Sequence, residues 1–248
     1  YDELLINIVT TTEAEFDGEG FKDMILALPL ENSVAGILHT INDNRSDRVT
    51  NEACHILYGR DYYREQIMGL EFQVSAFSFF QTNVAVVERL YTEALSMIDD
   101  IEGKTVFDLY CGTGTITQAL ALKAKKAVGV EIVEDAVEAA RENAKLNELD
   151  NCEFIAGDVL QVLDTLADKP DVIVVDPPRA GINYKALPKI LKYGVDQILY
   201  ISCNPKTLVE NLRFMEEHGY VIGDIKAYDN FPFTAHVELA VLMSRKDT

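Results

Sequence analysis

The chain has 248 residues, of which 48% are hydrophobic and 25% charged, and its formal net charge is −19. These fractions are typical of a globular protein and exclude a disordered, collagenous or fibrous chain. No apolar run reaches about 18 residues and no basic–apolar leader opens the sequence, so we expect neither a membrane span nor a signal peptide. Nucleic-acid-binding surfaces are usually basic, so the acidity argues against strong non-specific binding to RNA or DNA.

The cysteines are far apart and form no CxxC pair, which predicts neither a zinc site nor a disulfide framework. We therefore expect no bound metal and a reduced, cytoplasmic setting. The chain begins at Tyr1, without Met, inside the strand-like run DELLINIVT. We expect it to be a piece of a longer protein. The four cysteines are Cys54, Cys111, Cys152 and Cys203.

The first domain is predicted to span residues 1–78. Its pattern is β-rich, with one short helix at 19–28, and it indicates a small α/β domain with a largely antiparallel sheet. The β-rich runs lie at 4–10, 34–41, 54–59 and 62–74.

The second domain is predicted to span residues 79–248. An amphipathic helix over 83–98 opens it, and strands then alternate with helices until two final strands follow each other directly. This order predicts an α/β fold with a doubly wound parallel sheet whose last strand is antiparallel. The predicted parallel strands are 105–110, 127–132, 152–158, 171–176 and 197–202.

A glycine-rich turn, DLYCGTGTIT, follows the first of these strands. Gly112 and Gly114 allow close approach of a ligand, but Thr117 replaces the third glycine of a dinucleotide fingerprint. Glu131 ends the next strand, about 20 residues on, where a carboxylate accepts ribose hydroxyls. This combination favours S-adenosylmethionine over a dinucleotide. The alternative is a tight turn with a solvated Glu131.

Two aspartates end the following strands. Asp158 is suited to an adenine amino group or to capping a helix, and the two roles are compatible. Asp176 is followed by Pro177 and Pro178, which hold the loop rigid above the predicted pocket. Such DPP loops resemble those of amino-methylating enzymes, but Arg179 stands where those usually carry an aromatic residue. A simple strand-ending turn is the alternative.

The segment YISCNPKTL places Cys203 at the end of a strand and just before a helix that should begin near Thr207. A thiol at a helix N-terminus has a lowered pKa, and Lys206 adds positive charge, so we predict a reactive thiolate. Cys111, the rival thiol, is expected beside the cofactor. Glu238 opens the last strand, and it gains a chemical role if sheet order brings it beside Cys203.

Together these motifs resemble the uracil-C5 RNA methyltransferase family, which makes 5-methyluridine in 23S rRNA or tRNA. The resemblance spans residues 78–240 and implies nucleophile Cys203, general base Glu238, and S-adenosylmethionine contacts from Gln81, Tyr110, Glu131 and Asp176. The product would be S-adenosylhomocysteine. The matching segments are SFFQTN, DLYCGTG, VGVE, DPPRAG, YISCNP and FPFTAHVE.

The chemistry implied by the resemblance needs these residue types. A thiolate adds to carbon 6 of uracil and makes carbon 5 nucleophilic, and a carboxylate then removes the carbon 5 proton. Asp176 would hold the uracil edge or the methionine amino group. The uridine must leave its stack to reach Cys203. Substrate contacts are expected from Arg179, Lys206, Phe231 and His236.

Two further groups of cations are candidate RNA contacts, although a solvated helix face is the favoured interpretation of the first. Three of its members, Lys185, Lys189 and Lys192, share a helical face by spacing. The whole group consists of Arg179, Lys185, Lys189, Lys192, Lys206 and Arg213. The second consists of Arg45, Arg48, Arg60 and Arg64.

We expect a monomer that methylates uridine in a 23S rRNA loop. The family often carries an N-terminal OB-like RNA-binding domain, and we expect Tyr1 to lie just after it in the longer protein, where that domain would supply phosphate contacts. The runner-up substrate is the T-loop of tRNA. A SAM-binding RNA assembly factor without turnover and an amino methyltransferase are alternatives from other classes.

Overall fold

The structure is a computed structural model that describes residues 1–13, 15–43 and 53–246. It divides into two compact units. One comprises Tyr1–Gln66 and Glu71–Phe80, and the other Ile67–Leu70 and Gln81–Thr248. Within the described ranges, no helix has the length and apolar character needed to cross a membrane.

The first unit contains a three-stranded sheet and a separate two-stranded one. The sheet order is β1-β2-β3, and β4 pairs with β5. The strands β1 and β2 are parallel, with Ile6 opposite Ile37, whereas β2 and β3 are antiparallel. The elements are β1 (Glu3–Thr10), α1 (Gly18–Leu26), β2 (Ser33–Ile41), β3 (Cys54–Gly59), β4 (Tyr62–Ile67) and β5 (Leu70–Ser75).

The prediction of a largely antiparallel first sheet is wrong for its first pair. The helix α1 lies between β1 and β2 in sequence and returns the chain to the edge where β1 began, which makes the two strands parallel. Asp17 caps this helix, because its side chain accepts a hydrogen bond from the Gly20 N–H at 2.9 Å. The sequence thus forms a βαβ unit.

The second unit holds a seven-stranded sheet in the order β11-β12-β10-β9-β6-β7-β8. The five strands from β10 to β8 are parallel, and β12 is antiparallel to both of its neighbours. The predicted doubly wound sheet with an antiparallel last strand is confirmed. Its elements are α2 (Val84–Leu95), β6 (Thr105–Leu109), α3 (Thr115–Ala121), β7 (Lys126–Glu131), α4 (Glu134–Leu146), β8 (Cys152–Ala156), α5 (Val159–Val162), β9 (Val172–Val175), α6 (Leu187–Lys192), β10 (Gln197–Ser202), α7 (Pro205–Glu217), β11 (Tyr220–Tyr228) and β12 (Glu238–Arg245).

The apolar residues of the central strands explain why this sheet forms. All four residues of β9 and all six of β10 are buried, as central parallel strands covered on both faces require. The amphipathic α2 turns Val87, Leu90 and Tyr91 inward. A rigid, dry sheet of this kind fixes the position of whatever side chains stand at its edge.

A buried carboxylate in the first unit allows a test of stability. Burial raises the pKa of Glu3, but hydrogen bonds from Arg60 and Arg64 outweigh it and lower the pKa from 4.5 to about 2. We expect Glu3→Gln to lower the free energy of unfolding by about 1 to 2 kcal/mol at pH 7. Because the folded-state pKa is depressed, that difference should shrink as the pH falls from 4.5 towards 2.

Urea unfolding of both proteins across this pH range measures the effect. Glu19→Gln is the matched control, because Glu19 forms an exposed ion pair with Lys22 in the same unit and should matter little. A difference between wild type and Glu3→Gln that does not change with pH would contradict the ionic role of Glu3.

Candidate active site

Strand register brings the predicted residues to one edge of the sheet. Leu109 on β6 lies opposite Val130 on β7 and Val175 on β9, and Tyr200 on β10 also lies opposite Val175. The residues that come next in each parallel strand therefore stand at the same carboxyl edge. They include Tyr110, Glu131 and Asp176.

The antiparallel strand β12 adds the last group. Ser202, the final residue of β10, pairs with Leu239 on β12. Continued by one residue, this register would set Cys203, which lies just beyond β10, against Glu238, the first residue of β12, and the Glu238 charge does act on the pKa of Cys203. Opposing residues in an antiparallel pair lie roughly 5 Å apart between Cα atoms. Glu238 is only 5% exposed and also pairs with Tyr228 on β11.

The two glycines of the turn after β6 have different surroundings. A Cβ on Gly112 would meet nothing within 4 Å, so its backbone faces open space. A Cβ on Gly114 would lie 2.6 Å from the Phe154 ring, so this residue must be small for α3 to pack. Both have positive φ, as does Tyr110 at 73°. Gly112 is thus the one that leaves room for a ligand.

Two carboxylates flank this turn. Glu131 accepts hydrogen bonds from the N–H groups of Gly112 at 3.1 Å and Val133 at 2.9 Å. Each of its oxygens retains a free lone pair for a further donor. Asp158 accepts from the Leu160 N–H at 2.9 Å and caps α5. Burial, with the Asp158 charge nearby, raises the pKa of Tyr110 to about 12.

Acidic groups crowd the edge where Cys203 lies. Burial raises the pKa of Asp176 well above its ordinary value, and the charges of Glu238 and Asp108 raise it further. Burial also raises the pKa of Glu238, against the opposing effect of Arg179. These carboxylates therefore hold protons more tightly than carboxylates in water.

The predicted lowering of the Cys203 pKa is wrong. Burial raises the pKa of this thiol, and the charges of Glu238 and Asp176 raise it further. Arg179 is the cation that lowers it, whereas Lys206 is an exposed residue of α7 and is not among the groups that shift it. The helix begins at Pro205, two residues before the predicted start. Burial and the two carboxylates together outweigh Arg179.

Hydrogen bonds join the loops around Cys203. The Arg179 carbonyl accepts from Asn204 Nδ2 at 2.8 Å, and an Arg179 guanidinium nitrogen lies 3.2 Å from His236 Nδ1. The Phe231 ring meets His236 edge-on, with centroids 6.2 Å apart. The structure thus brings together three of the four predicted substrate contacts. Lys206 is separate from them and bonds to Asn204 through its backbone N–H.

A second network fixes the loop after β9. The buried Tyr200 donates its hydroxyl to Asn211 Oδ1 at 2.8 Å, and the Ile182 N–H donates to the same oxygen at 3.0 Å. Asn211 lies on α7, so this helix anchors the DPPRAG loop and follows the Cys203 loop at the same time. The positions of Asp176 and Cys203 are therefore mechanically linked.

Two candidate functional residues were not predicted from the sequence. Asn230 is 1% exposed and donates to Gln81 Oε1 at 3.3 Å, while its own Oδ1 has no hydrogen-bond partner among the described residues. Asp108 is fully buried in β6, and burial raises its pKa to about 7, although Thr117 donates to it at 2.6 Å. Asp108 could have been predicted, because a charged residue within the apolar strand TVFDLY is unusual and indicates a functional role.

Several of the other predicted cations are engaged by partners of their own. Lys189 bonds to the Leu160 carbonyl at 2.8 Å and pairs with Asp164, and Lys185 precedes α6 rather than sharing its face. Arg60 and Arg64 bind Glu3. Arg45 and Arg48 are outside the described residues.

The fold and the carboxyl-edge site define a class, the α/β fold of SAM-dependent methyltransferases. The chain matches the tRNA (uracil-5-)-methyltransferase family over residues 50–246. It therefore belongs to that family, and the resemblance noted in the sequence is confirmed at this level. The match covers the turn after β6, the DPPRAG loop, Cys203 and Glu238.

Individual relatives agree. An uncharacterized RNA methyltransferase of Clostridium tetani is 52% identical over 99% of this chain and 54% of its own length. One from Caldanaerobacter subterraneus is 47% identical over 98% of this chain and 54% of its own. The Pyrococcus abyssi tRNA (uracil-54, C5)-methyltransferase, crystallised with S-adenosyl-L-homocysteine, superposes with a TM-score of 0.81 and 28% identity, over 97% of this chain and 56% of its own. The chain spans about half the length of these relatives.

The electrostatics of Cys203 can be tested by alkylation. We expect Glu238→Gln to speed the reaction of Cys203 with iodoacetamide at pH 8 several-fold, because removing that charge lowers the thiol pKa and raises the thiolate fraction. Arg179→Met should slow it. Mass spectrometry of the peptide that contains Cys203 gives both rates, with Cys203→Ala as the blank. Equal rates in the two variants would contradict control by these charges.

Proposed function

We propose that this chain methylates carbon 5 of a uridine in RNA, with S-adenosylmethionine as methyl donor and through a covalent bond between Cys203 and carbon 6. The observation that carries the proposal is the register of β10 and β12, which pairs Ser202 with Leu239 and so leaves Cys203 and Glu238 as the next residues at the carboxyl edge. A nucleophile and a base at facing positions suit addition to a ring followed by removal of its proton.

The residues present fit S-adenosylmethionine. Gly112 leaves open space beside its backbone, and Glu131 is oriented by two N–H groups with lone pairs left for ribose hydroxyls. Gln81, Tyr110 and Asp158 stand at the same edge of the unit or bond to residues there, and Gly114 supports the turn by packing. When bound, the cofactor supplies an electrophilic methyl group on a positively charged sulfur. Unpaired carboxylate charge near it is favourable.

Cys203 performs the activating step. Its sulfur, as the thiolate that remains when the thiol proton passes to solvent, forms a bond to carbon 6 of uracil, and the electron pair of the carbon 5–carbon 6 double bond moves towards the carbonyl at carbon 4. Carbon 5 is thereby made nucleophilic. Arg179 stabilises the thiolate, because it is the cation that lowers the pKa of this thiol.

Glu238 completes the reaction. Its carboxylate takes the proton from the methylated carbon 5, and that electron pair restores the double bond while the sulfur leaves as a thiolate. A carboxylate whose pKa is raised by burial is a stronger base than one in water. Asp176 holds either the uracil edge or the methionine amino group.

The finer proposal concerns the RNA. We retain a 23S rRNA loop as first candidate, with the uridine flipped out to reach Cys203. The T-loop of tRNA is the second, favoured by the Pyrococcus abyssi neighbour, whose name specifies uracil 54 of tRNA. Methylation of either RNA would distinguish an enzyme from an RNA assembly factor without turnover.

A trapping experiment tests the proposal. The protein is mixed with S-adenosylmethionine and with 23S rRNA fragments or tRNA in which 5-fluorouridine replaces uridine. Fluorine does not leave as a proton, so the covalent adduct should accumulate on the peptide that contains Cys203. The RNA that gives the adduct identifies the substrate. No adduct from a protein that binds S-adenosylmethionine would overturn covalent chemistry at carbon 6.

We expect Cys203→Ala to abolish methyl transfer while leaving affinity for S-adenosylmethionine within about twofold, because the proposed cofactor contacts lie on other strands. Calorimetry gives the affinity, and transfer of a labelled methyl group gives the turnover. Loss of cofactor binding would contradict the placement of the thiol on the substrate side. Persistent turnover would instead favour an amino methyltransferase.

We expect Glu238→Gln to methylate once and then to stall as a covalent adduct with ordinary RNA, because the carbon 5 proton has no acceptor. Turnover should fall by about 100-fold or more, the usual contribution of a general base. Denaturing gels detect the adduct. Cys203→Ala combined with Glu238→Gln is the control and should give none. Normal turnover in the single variant would remove Glu238 from the mechanism.

A further inference from the structure

An exposed aromatic residue stands on the loop that leads into β12. Phe233 is fully exposed, and its φ is 67°. An aromatic residue in this left-handed region is strained by about 1 to 3 kcal/mol, and an exposed ring gains no packing energy to offset the strain. Such strain is typical of functional positions.

The loop is built to hold this ring outward. The Thr234 N–H and hydroxyl both donate to the Phe231 carbonyl, at 3.2 and 2.7 Å, and the His236 N–H donates to the Thr234 hydroxyl at 3.2 Å. Phe231, by contrast, is half-buried with its ring against His236. Of two neighbouring phenylalanines, one secures the turn and the other faces solvent.

The position of the ring relative to the site indicates its partner. Phe233 lies five residues before Glu238, and His236 ties its loop to Arg179 beside Cys203. The chain carries a net charge of −19, so phosphate attraction contributes less than it does in a basic protein. Stacking of a base on an aromatic ring is an attraction that needs no net charge.

We propose that Phe233 stacks on an unpaired nucleobase next to the target uridine and so helps to hold the RNA while the uridine enters the site. The inference rests on the proposed function, because it takes RNA as the substrate. It assigns to Phe233 binding of RNA, with no part in the bond-making steps. A ring that stacks on any base contributes affinity without selecting a sequence.

The test measures the dissociation constant of a single-stranded RNA that contains 5-fluorouridine, at several salt concentrations. We expect Phe233→Ala to weaken binding about 5- to 100-fold with an unchanged salt slope, and Phe233→Tyr to bind within about threefold of wild type. Leu122→Ala, an exposed apolar residue at the end of α3, is the control and should bind as wild type. Phe233→Gly should melt no lower than Phe233→Ala, because glycine tolerates positive φ.

The outcomes separate the two proposals. If wild type forms the covalent adduct and Phe233→Ala binds RNA as tightly as wild type, the stacking role is wrong and the proposed function is unaffected. If Phe233→Ala binds RNA more weakly but wild type forms no adduct, the stacking role is supported and the covalent chemistry is wrong. If wild type binds no RNA, or if Phe233→Ala also changes the salt slope or melts several degrees lower, the stacking proposal is wrong.

Discussion

The antiparallel pairing of β12 with β10 is the constraint on which the candidate site depends. Five parallel strands bring loops to one edge, but a parallel strand can only end there. Because β12 runs in the opposite direction, its first residue stands at that edge, and the pairing of Ser202 with Leu239 leaves Cys203 and Glu238 as the next residues there. A slip of this register by one residue would turn Glu238 to the other face of the sheet. The register thus connects the fold to the chemistry.

This arrangement has an electrostatic cost. It gathers Asp176, Glu238 and the buried Asp108 in one desolvated region, and burial raises the pKa of each. Arg179 is the cation that opposes this effect at Glu238 and Cys203. A positively charged ligand would relieve the same repulsion. The carboxylates that help to raise the pKa of the Cys203 thiol therefore also suit a site that takes a cationic cofactor.

Local patterns were enough to predict most of the second unit. The apolar runs of β9 and β10 and the spacing of α2 depend only on neighbouring residues, and the antiparallel last strand followed from two strands without a helix between them. Three features could be recognised only in the folded structure. The pairing of β1 with β2 depends on where α1 returns the backbone, the Cys203 pKa depends on distant carboxylates, and the unpartnered Asn230 oxygen depends on burial. The first has a partial signature, a helix predicted between two β-rich runs, whereas the other two have none in sequence spacing.

The loops of the site act as one body because α7 anchors two of them. Asn204, the N-cap of α7, and Asn211 on this helix bond to the backbone of Arg179 and Ile182, and Arg179 in turn contacts His236 on the loop before β12. The loop that carries the exposed Phe233 is therefore in contact with Arg179, the cation that lowers the pKa of Cys203. These contacts join residues that are far apart in sequence but lie at one edge of the sheet.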